Sequence, residues 1–321
     1  MNEPKILYIV VPCYNEEEVL PETSRRLKEK MTALMAAGMI AEGSRVLLVD
    51  DGSRDATWRL ISELHEGDAL FAGVKLSRNR GHQNALLAGL MTAKERADVT
   101  ISMDADLQDD IDAVDAMLSK YYEGCDIVYG VRSSRKKDTF FKRVTAQGFY
   151  RLQRSMGADT VYNHADYRLM SRRALDALAG FREKNLFLRG IVPLLGFRTD
   201  TVYYERGERF AGESKYPLRK MLSFAIDGIT SFSVKPLRFI TLLGFLMFFA
   251  AIVMATVFIV QWAIGVTVVG WASLICSLWG IGGVIMLSLG VIGEYLGKIY
   301  VEVKDRPYFV IESVLDRDGH E

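Results

Sequence analysis

Residues 239–293 contain no Asp, Glu, Lys or Arg, a run of 55 residues without formal charge. A helix that crosses the hydrocarbon core of a bilayer needs about 20 predominantly apolar residues. The run therefore accommodates two spans, about 239–264 and 271–293, joined by a turn over 265–270. A buried hairpin in a large soluble core is the alternative. Such helices seldom extend this far without a polar face, which weighs against it. Lys235 and Arg238 precede the run, and Lys298, Lys304 and Arg306 follow it. Basic residues concentrate on the cytoplasmic side of membrane helices, so both ends are expected to face the cytoplasm. Trp262, Trp271 and Trp279 offer anchors at headgroup depth. The apolar run at 5–11 is too short for a signal peptide and meets Pro12 at once, which leaves roughly the first 230 residues as an expected cytosolic part.

That part carries its own pattern. Lys+Arg and Asp+Glu balance at 40 each over the whole chain, so charge offers no footprint for nucleic acid. Cys13, Cys125 and Cys276 lack metal-ligand spacing, and Cys276 lies within a span, which fits a reducing compartment better than a disulfide framework. Short apolar runs alternate with amphipathic stretches. Strands are expected over 6–11, 45–49, 74–76, 99–103 and 127–129. Helices are expected over 16–37, 56–65, 82–94 and 111–122, with Asp55 as N-cap of the second. This alternation implies an α/β fold with a mostly parallel, doubly wound, Rossmann-like sheet. Ligands of such sheets bind beyond the carboxyl ends of the strands. Three polar clusters fall there: Pro12-Cys13-Tyr14-Asn15-Glu16, Asp50-Asp51-Gly52-Ser53 and Asp104-Ala105-Asp106. No Gly-x-Gly-x-x-Gly follows the first strand and no P-loop motif occurs, which disfavours dinucleotide oxidoreductases and P-loop enzymes.

Asp104-Ala105-Asp106-Leu107-Gln108-Asp109 is the most telling cluster. Two carboxylates one residue apart at a strand end suit a hard cation such as Mg²⁺, which takes one or two carboxylates plus substrate phosphates. Beyond Gly130 the chain turns basic, with Arg132, Arg135, Lys136, Lys137, Lys142 and Arg143 ahead of a helix expected over 140–156. That run reads either as a solvated face or as a phosphate or anionic-lipid contact. Residues 217–233 have apolar positions at helical spacing. They read either as an amphipathic helix lying at the interface or as a core-packing helix. Asp50, Asp51, Asp104, Asp106 and Asp166 thus oppose Arg132, Arg135, Arg168, Arg189, Arg206 and Lys215. Acid with a metal holds a nucleotide diphosphate, and arginines hold a second anion through bidentate hydrogen bonds. His82 and His164 have no carboxylate or cysteine at metal-ligand spacing, so surface or packing roles are expected for them.

In order along the chain, these motifs resemble family 2 glycosyltransferases with a GT-A fold, and among them the polyprenyl-phosphate glycosyltransferases, such as dolichol-phosphate mannose synthases and, more closely, bacterial bactoprenol glucosyltransferases. The likeness rests on Val11 to Glu16, Asp50-Asp51-Gly52-Ser53 with Asp55, Ser77-Arg78-Asn79-Arg80-Gly81-His82, Asp104 to Gln108, and Ala165-Asp166-Tyr167-Arg168-Leu169-Met170. It continues through Glu205-Arg206, Gly212-Glu213-Ser214-Lys215-Tyr216, Ser231 to Leu237 and Gly293 to Tyr300. Asp110 stands where many relatives carry proline, and His82-Gln83-Asn84 replaces a Lys-Glu-Ala type run.

The resemblance implies a GT-A catalytic domain over 1–215, a juxtamembrane amphipathic helix over 216–235, two transmembrane helices within 236–297 and a cytosolic tail over 298–321. It implies that Pro12, Tyr14, Glu16, Asp50 and Asp51, with Asp104, hold a UDP-sugar. Asp104, Asp106 and Gln108 hold Mg²⁺ or Mn²⁺, and Asp166 touches the sugar or acts as base. Arg132, Arg135, Arg206 and Lys215 receive the phosphate of a polyprenyl phosphate in the bilayer. Asp50 also fits a turn, and Asp166 a partner of Arg168. The implied reaction is an inverting transfer of glucose or N-acetylglucosamine at the cytosolic face of the cell membrane. A homotetramer, a downstream flippase and a second glycosyltransferase come with the resemblance. A processive polysaccharide synthase would carry a Gln-x-x-Arg-Trp segment and more spans, neither of which is present. A non-catalytic nucleotide-sugar binder is disfavoured by the full set of carboxylates and cations.

Overall fold

The computed structural model describes residues 3–133, 164–184, 186–205, 235–265 and 270–316. In chain order its first elements are β1 (Leu7–Cys13), α1 (Leu20–Ala36), β2 (Arg45–Asp50), α2 (Thr57–Gly67), β3 (Phe71–Leu76), α3 (His82–Lys94), β4 (Val99–Ser102), α4 (Ala113–Tyr122) and β5 (Ile127–Arg132). There follow β6 (His164–Ser171), α5 (Arg172–Ala179), α6 (Leu188–Leu194), β7 (Thr199–Tyr204), α7 (Lys235–Ala263), α8 (Trp271–Val303) and β8 (Ile311–Leu315).

The aliphatic runs become strands buried on both sides. Every residue of β1 and β4 is buried, as is all of β2 after Arg45. Burial on two sides is the mark of strands covered by helices on both faces. Alternation along β1 separates the layers. Leu7, Ile9 and Val11 join Leu27 and Met31 of α1, Ile61 of α2 and Met117 of α4 in one core cluster. Val10 faces α3 on the other side, and α5 packs against α3 there. A Cβ on Gly89 of α3 would lie 2.4 Å from Val10 Cγ1 and 2.6 Å from Val49 Cγ2, so the helix sits directly on the sheet only because this residue has no side chain.

The strand order is β7-β5-β6-β4-β1-β2-β3-β8. β4, β1, β2 and β3 run parallel, and β5 pairs parallel with β7. β6 runs antiparallel between β4 and β5, and β8 antiparallel to β3. The result is the mixed α/β sheet of a GT-A fold, with parallel pairing concentrated in the β4-β1-β2-β3 half. Asp55 lies one residue outside the start of α2, and its carboxylate still accepts the Thr57 N–H at 3.0 Å.

Two differences from the sequence reading stand out. The tail expected over 298–321 is no free appendage. Residues 311–315 form edge strand β8, tied to the sheet by Lys75 Nζ to Glu312 at 2.7 Å and by Arg96 Nη1 to Asp316 at 2.5 Å. Its residues are half-exposed and its partner lies more than 230 positions away, so no local pattern marks it. The second apolar helix also continues ten residues past 293, about 15 Å at helical rise, and there carries Glu294, Lys298 and Glu302. Apolar windows at Phe239–Gln261 and Gly280–Val303 are long enough to cross a membrane and are unburied, which suggests membrane association.

The chain divides into two units. One takes in the described residues before 206 and those from 306 onward, and the other the two helices of 235–305. The helices expected over 140–156 and 217–233 lie outside the described residues, as do Arg135, Arg206 and Lys215.

Candidate active site

The three polar clusters follow β1, β2 and β4, which are neighbours in the sheet, so they converge at one carboxyl edge. Pro12 is buried in β1 opposite Val49, while Tyr14 is exposed just beyond it. Asn15 takes φ +54°, a left-handed conformation that Asn tolerates, and so reverses the chain. The Asn15 side chain accepts the Arg54 N–H at 2.9 Å, and Ser53 Oγ accepts the Asn15 N–H at 3.0 Å. Thr57 Oγ1 accepts the Glu16 N–H at 2.9 Å. The first and second clusters are thereby stitched into one wall.

Asp50 and Asp51 are both buried. Asp51 accepts backbone N–H bonds from Arg80 at 2.7 Å and Gly81 at 2.9 Å. Asp50 accepts the Ser53 N–H at 3.1 Å through Oδ1, and its Oδ2 has no partner among the described residues. Burial raises both carboxyls above the usual carboxylate range, against the pull of these N–H donors. An orphaned buried oxygen is costly. Gly52, at φ +67°, makes the arrangement possible. A Cβ there would lie 2.5 Å from both the carbonyl carbon of Arg78 and the nitrogen of Asn79.

The third cluster is held from two sides. Thr23 Oγ1 of α1 donates to the Ala105 carbonyl at 2.8 Å, and the Gln108 N–H to Asp106 Oδ1 at 3.2 Å. Leu107 has φ +56°, a strained position for a side chain of this kind and a sign that the loop's shape is imposed by its surroundings. Asp104 and Asp106 are partly exposed, and Gln108 is nearly buried. Among the described residues no three His, Cys, Asp or Glu side chains gather as a complete protein cage for a metal.

His82 stands against this cluster. Its Nε2 lies 3.0 Å from Asp104 Oδ1, and its Nδ1 3.9 Å from Asp166 Oδ2. Burial pulls its pKa down, but the hydrogen bond to Asp104 and the charges of Asp104 and Asp166 outweigh that and leave it raised. His82 is exposed, as the expected surface position requires, and it also pairs with Asp104. Asp104 is 22 positions away in sequence, at the end of a different strand, so no ligand spacing could have revealed the pair.

Asp166 on β6 is buried and clamped by two arginines. Arg168 Nη2 donates to Oδ1 at 2.6 Å, while Arg189 on α6 donates to Oδ1 at 3.2 Å and to Oδ2 at 2.9 Å. Burial opposes ionisation, but these guanidinium groups hold the carboxyl well below its usual range. A carboxylate so engaged is a weak base. It pairs with the buried Arg168 and the half-exposed Arg189.

A second acidic group lies behind the loop. Asp109 Oδ1 accepts the Tyr204 hydroxyl at 2.5 Å and lies 3.8 Å from Arg132 Nη2, while Arg132 Nε donates to Tyr204 Oη at 3.3 Å. Arg132 ends β5 and Tyr204 ends β7, and the two are register partners. Asp109 and Tyr204 were not among the expected site residues. Asp109 continues the acidic run and Tyr204 precedes Glu205-Arg206, which are the only sequence signals for them. The structure thus gathers Asp51, Asp104 and Asp166 around His82 and places Arg132 with Asp109.

Comparison with known proteins gives a concordant assignment. The profile described as "Glycosyl transferase family 2" matches residues 8–179. "Uncharacterized glycosyltransferase YkoT" of Bacillus subtilis (strain 168) is 56% identical over 307 residues, covering 96% of this chain and 91% of that protein. The "SfII prophage-derived bactoprenol glucosyl transferase" of Shigella flexneri is 38% identical over 309 residues, covering 95% and 97%. Among solved structures, the mannosyltransferase PcManGT from Pyrobaculum calidifontis, in complex with GDP-Man and Mn²⁺, aligns at 17% identity and TM-score 0.46 over 93% of this chain and 85% of that one.

Proposed function

The chain belongs to glycosyl transferase family 2 and is a transferase, and from that premise we propose that it moves a hexose from a UDP-sugar to polyprenyl phosphate at the cytosolic membrane face. The observation that carries this reading is the convergence of a buried acidic wall, an acidic loop and Arg132 at one sheet edge of a chain that also bears two unburied apolar helices. The Shigella relative, whose name includes bactoprenol, aligns almost from end to end, the helices included, and supports a lipid phosphate as acceptor. Glucose and N-acetylglucosamine both fit the reading.

Pro12, Tyr14, Glu16, Asp50 and Asp51 would line the uridine side. Asp50 Oδ2, buried without a partner, suits an imide N–H of the base. Asp104 and Asp106, with Gln108, would hold Mg²⁺ or Mn²⁺. Two partly open carboxylates fit a hard cation that completes its shell with phosphate oxygens, and they do not need the third protein carboxylate that is missing around them among the described residues. Such a cation supplies charge that stabilises the departing diphosphate.

The remaining work falls to the chain's own groups. The acceptor is a phosphate monoester with a second pKa near 6, so at neutral pH it is largely a dianion and needs no strong base. That suits a site whose Asp166 is held deprotonated by two arginines and is poorly basic. Arg132, together with Arg135, Arg206 and Lys215, would bring the dianion to the anomeric carbon, and fixed cations at the site would offset the crowding of two anions. A single in-line displacement gives a β-linked sugar from an α-linked donor. The lipid product would pass to a flippase and a second glycosyltransferase, and the implied homotetramer belongs to the same reading.

Connectivity supports a two-span topology. β3 precedes the two apolar helices in the chain and β8 follows them, yet the two strands are hydrogen-bonded in one sheet. A chain that crosses a bilayer twice returns to the side it left, which supports two spans with both termini on one side, and the basic residues flanking the run favour the cytoplasmic side.

A radiolabelled UDP-sugar incubated with the full chain and polyprenyl phosphate tests the proposal. A lipid-linked monosaccharide of inverted configuration is expected. A polymer, a retained configuration, or no lipid product would each overturn it. The Asp106→Ala variant should lose nearly all transfer while keeping wild-type circular dichroism, and full activity in that variant would remove the metal assignment.

A further inference from the structure

We propose that Tyr204 and Asp109 are positioning residues for Arg132, holding one edge of its guanidinium so that the remaining edge can receive the acceptor's phosphate. This rests on the reading of the acceptor as a lipid phosphate. Arg132 and Tyr204 close two parallel strands side by side, so their side chains leave the same sheet edge. Arg132 Nε donates to the tyrosine hydroxyl at 3.3 Å, and that hydroxyl in turn donates to Asp109 at 2.5 Å. Tyr204 Oη is thus acceptor and donor at once, which fixes its rotation and with it the angle at which the guanidinium can lie.

The distances define the division of labour. Asp109 lies 3.8 Å from Arg132 Nη2, beyond hydrogen-bond range. The carboxylate therefore attracts the guanidinium without consuming a donor. Of the five guanidinium N–H donors only the one at Nε is engaged among the described residues, and the face that could grip a phosphate bidentately is left open. A direct Arg–carboxylate fork would have satisfied and neutralised the arginine. An intervening hydroxyl aims it instead.

Asp109 also bears a cost that packing does not explain. Its side chain is 1% exposed, and Oδ2 has no partner among the described residues. Burial together with Asp109 raises the pKa of Tyr204, so the phenol stays protonated and able to donate. Tyr204 packs edge-on against Tyr167 with ring centroids 5.2 Å apart, and the Tyr167 hydroxyl donates to the Asp110 carbonyl at 2.8 Å. The frame that carries the hydroxyl is therefore rigid. It is anchored to the same loop that bears Asp104 and Asp106, so one loop sets carboxylates for the donor and an arginine for the acceptor.

The test is a double-mutant cycle on the full chain in lipid nanodiscs, with polyprenyl monophosphate as probe. Tyr204→Phe keeps the ring and its edge contact and removes only the hydroxyl. It should raise both the Kd and the KM for polyprenyl phosphate about tenfold, as loss of about 1.4 kcal/mol would. The KM for the UDP-sugar should stay within about twofold, since a tenfold loss confined to one ligand is what separates aiming from general damage. In an Arg132→Ala background the same substitution should add nothing, because it acts through the arginine. Undiminished acceptor binding in Tyr204→Phe, or a full additional loss in the Arg132→Ala background, overturns the proposal. If Tyr204→Phe lowers the melting temperature markedly, Asp109→Asn carries the cycle, with the same expected and overturning results. A wild-type chain that binds the lipid phosphate but makes no lipid-linked sugar refutes the proposed reaction while the binding cycle still decides this inference. A wild-type chain that does not bind the lipid phosphate overturns both.

Discussion

Replacing Gly52 by alanine probes how the donor wall is built. The added methyl would sit 2.5 Å from the carbonyl carbon of Arg78 and from the nitrogen of Asn79, where ordinary contacts begin at 3.4 Å. Both are backbone atoms, so no rotamer change relieves the clash and the 78–79 segment must retreat by about 1 Å to regain van der Waals distance. Arg80 and Gly81 follow that segment, and their N–H groups are the two donors to Asp51, at 2.7 and 2.9 Å. A hydrogen bond to a charged group contributes about 1.5–3 kcal/mol. The left-handed φ of +67° adds about 1–2 kcal/mol of strain for any L-residue with a Cβ. Losing one of the two bonds and accepting the strain comes to about 2.5–5 kcal/mol, a large part of a typical folding free energy of about 5–15 kcal/mol. Gly38 supplies the control, because it has φ +66° and nothing within 4 Å of its Cβ position. Gly38→Ala therefore incurs the strain alone. Hydrogen exchange at Arg80 and Gly81, read by mass spectrometry on the full chain, should accelerate at least tenfold in Gly52→Ala and remain unchanged in Gly38→Ala, with tenfold equivalent to about 1.4 kcal/mol. UDP binding by calorimetry should weaken in the first variant only. Equal exchange and equal UDP affinity in the two variants would refute the close-approach argument.

Asp166→Asn should destabilise the protein by about 3–5 kcal/mol, because it leaves the buried Arg168 charge without its counter-ion. The wild-type carboxyl titrates below its ordinary 3.8, so its stabilisation is complete above about pH 4 and is lost as pH falls through the depressed folded value. The variant's thermal stability should accordingly fall less than wild type between pH 5 and the acid limit, and parallel pH profiles would count against the assignment. Deleting residues 306–321 removes β8 and leaves β3 with an unpaired edge, along with the loss of two ion pairs of about 0–1 kcal/mol each. The expected outcome is a lower melting temperature and aggregation by gel filtration, and a monodisperse, equally stable truncation would show that β8 is dispensable.

Most of the half built on β1 to β5 was legible because its structure is local. Alternating apolar runs and amphipathic stretches placed β1 to β5 and the helices between them within a few residues, and the three polar clusters lay at strand ends that proved to be neighbours. Three strands escaped the strand-and-helix pattern, among them β7, which pairs with β5 from 72 positions away (Ile127 with Thr199). β6 runs antiparallel inside the sheet, and β8 arrives from the far side of the apolar helices, so each depends on partners distant in sequence. The site divides the same way. Asp51, Asp104 and Asp166 could be named from their motifs, whereas His82 was set aside, since its contacts to Asp104 and Asp166 join three separate elements.

The sequence alone determined the chemical inventory and the apolar character of the two long helices. A stretch of 55 uncharged residues and a set of acids at strand ends are properties of composition and period, which solvent partitioning and backbone geometry read directly. Only the tertiary structure decided which groups act on one another. It set Asp166 between Arg168 and Arg189, gave His82 its place beside Asp104, and set Tyr204 between Arg132 and Asp109. The physical reason is range. Hydrophobic periodicity acts within one element, while hydrogen bonds and desolvated charges act over a few ångströms in space between residues that the chain alone keeps far apart.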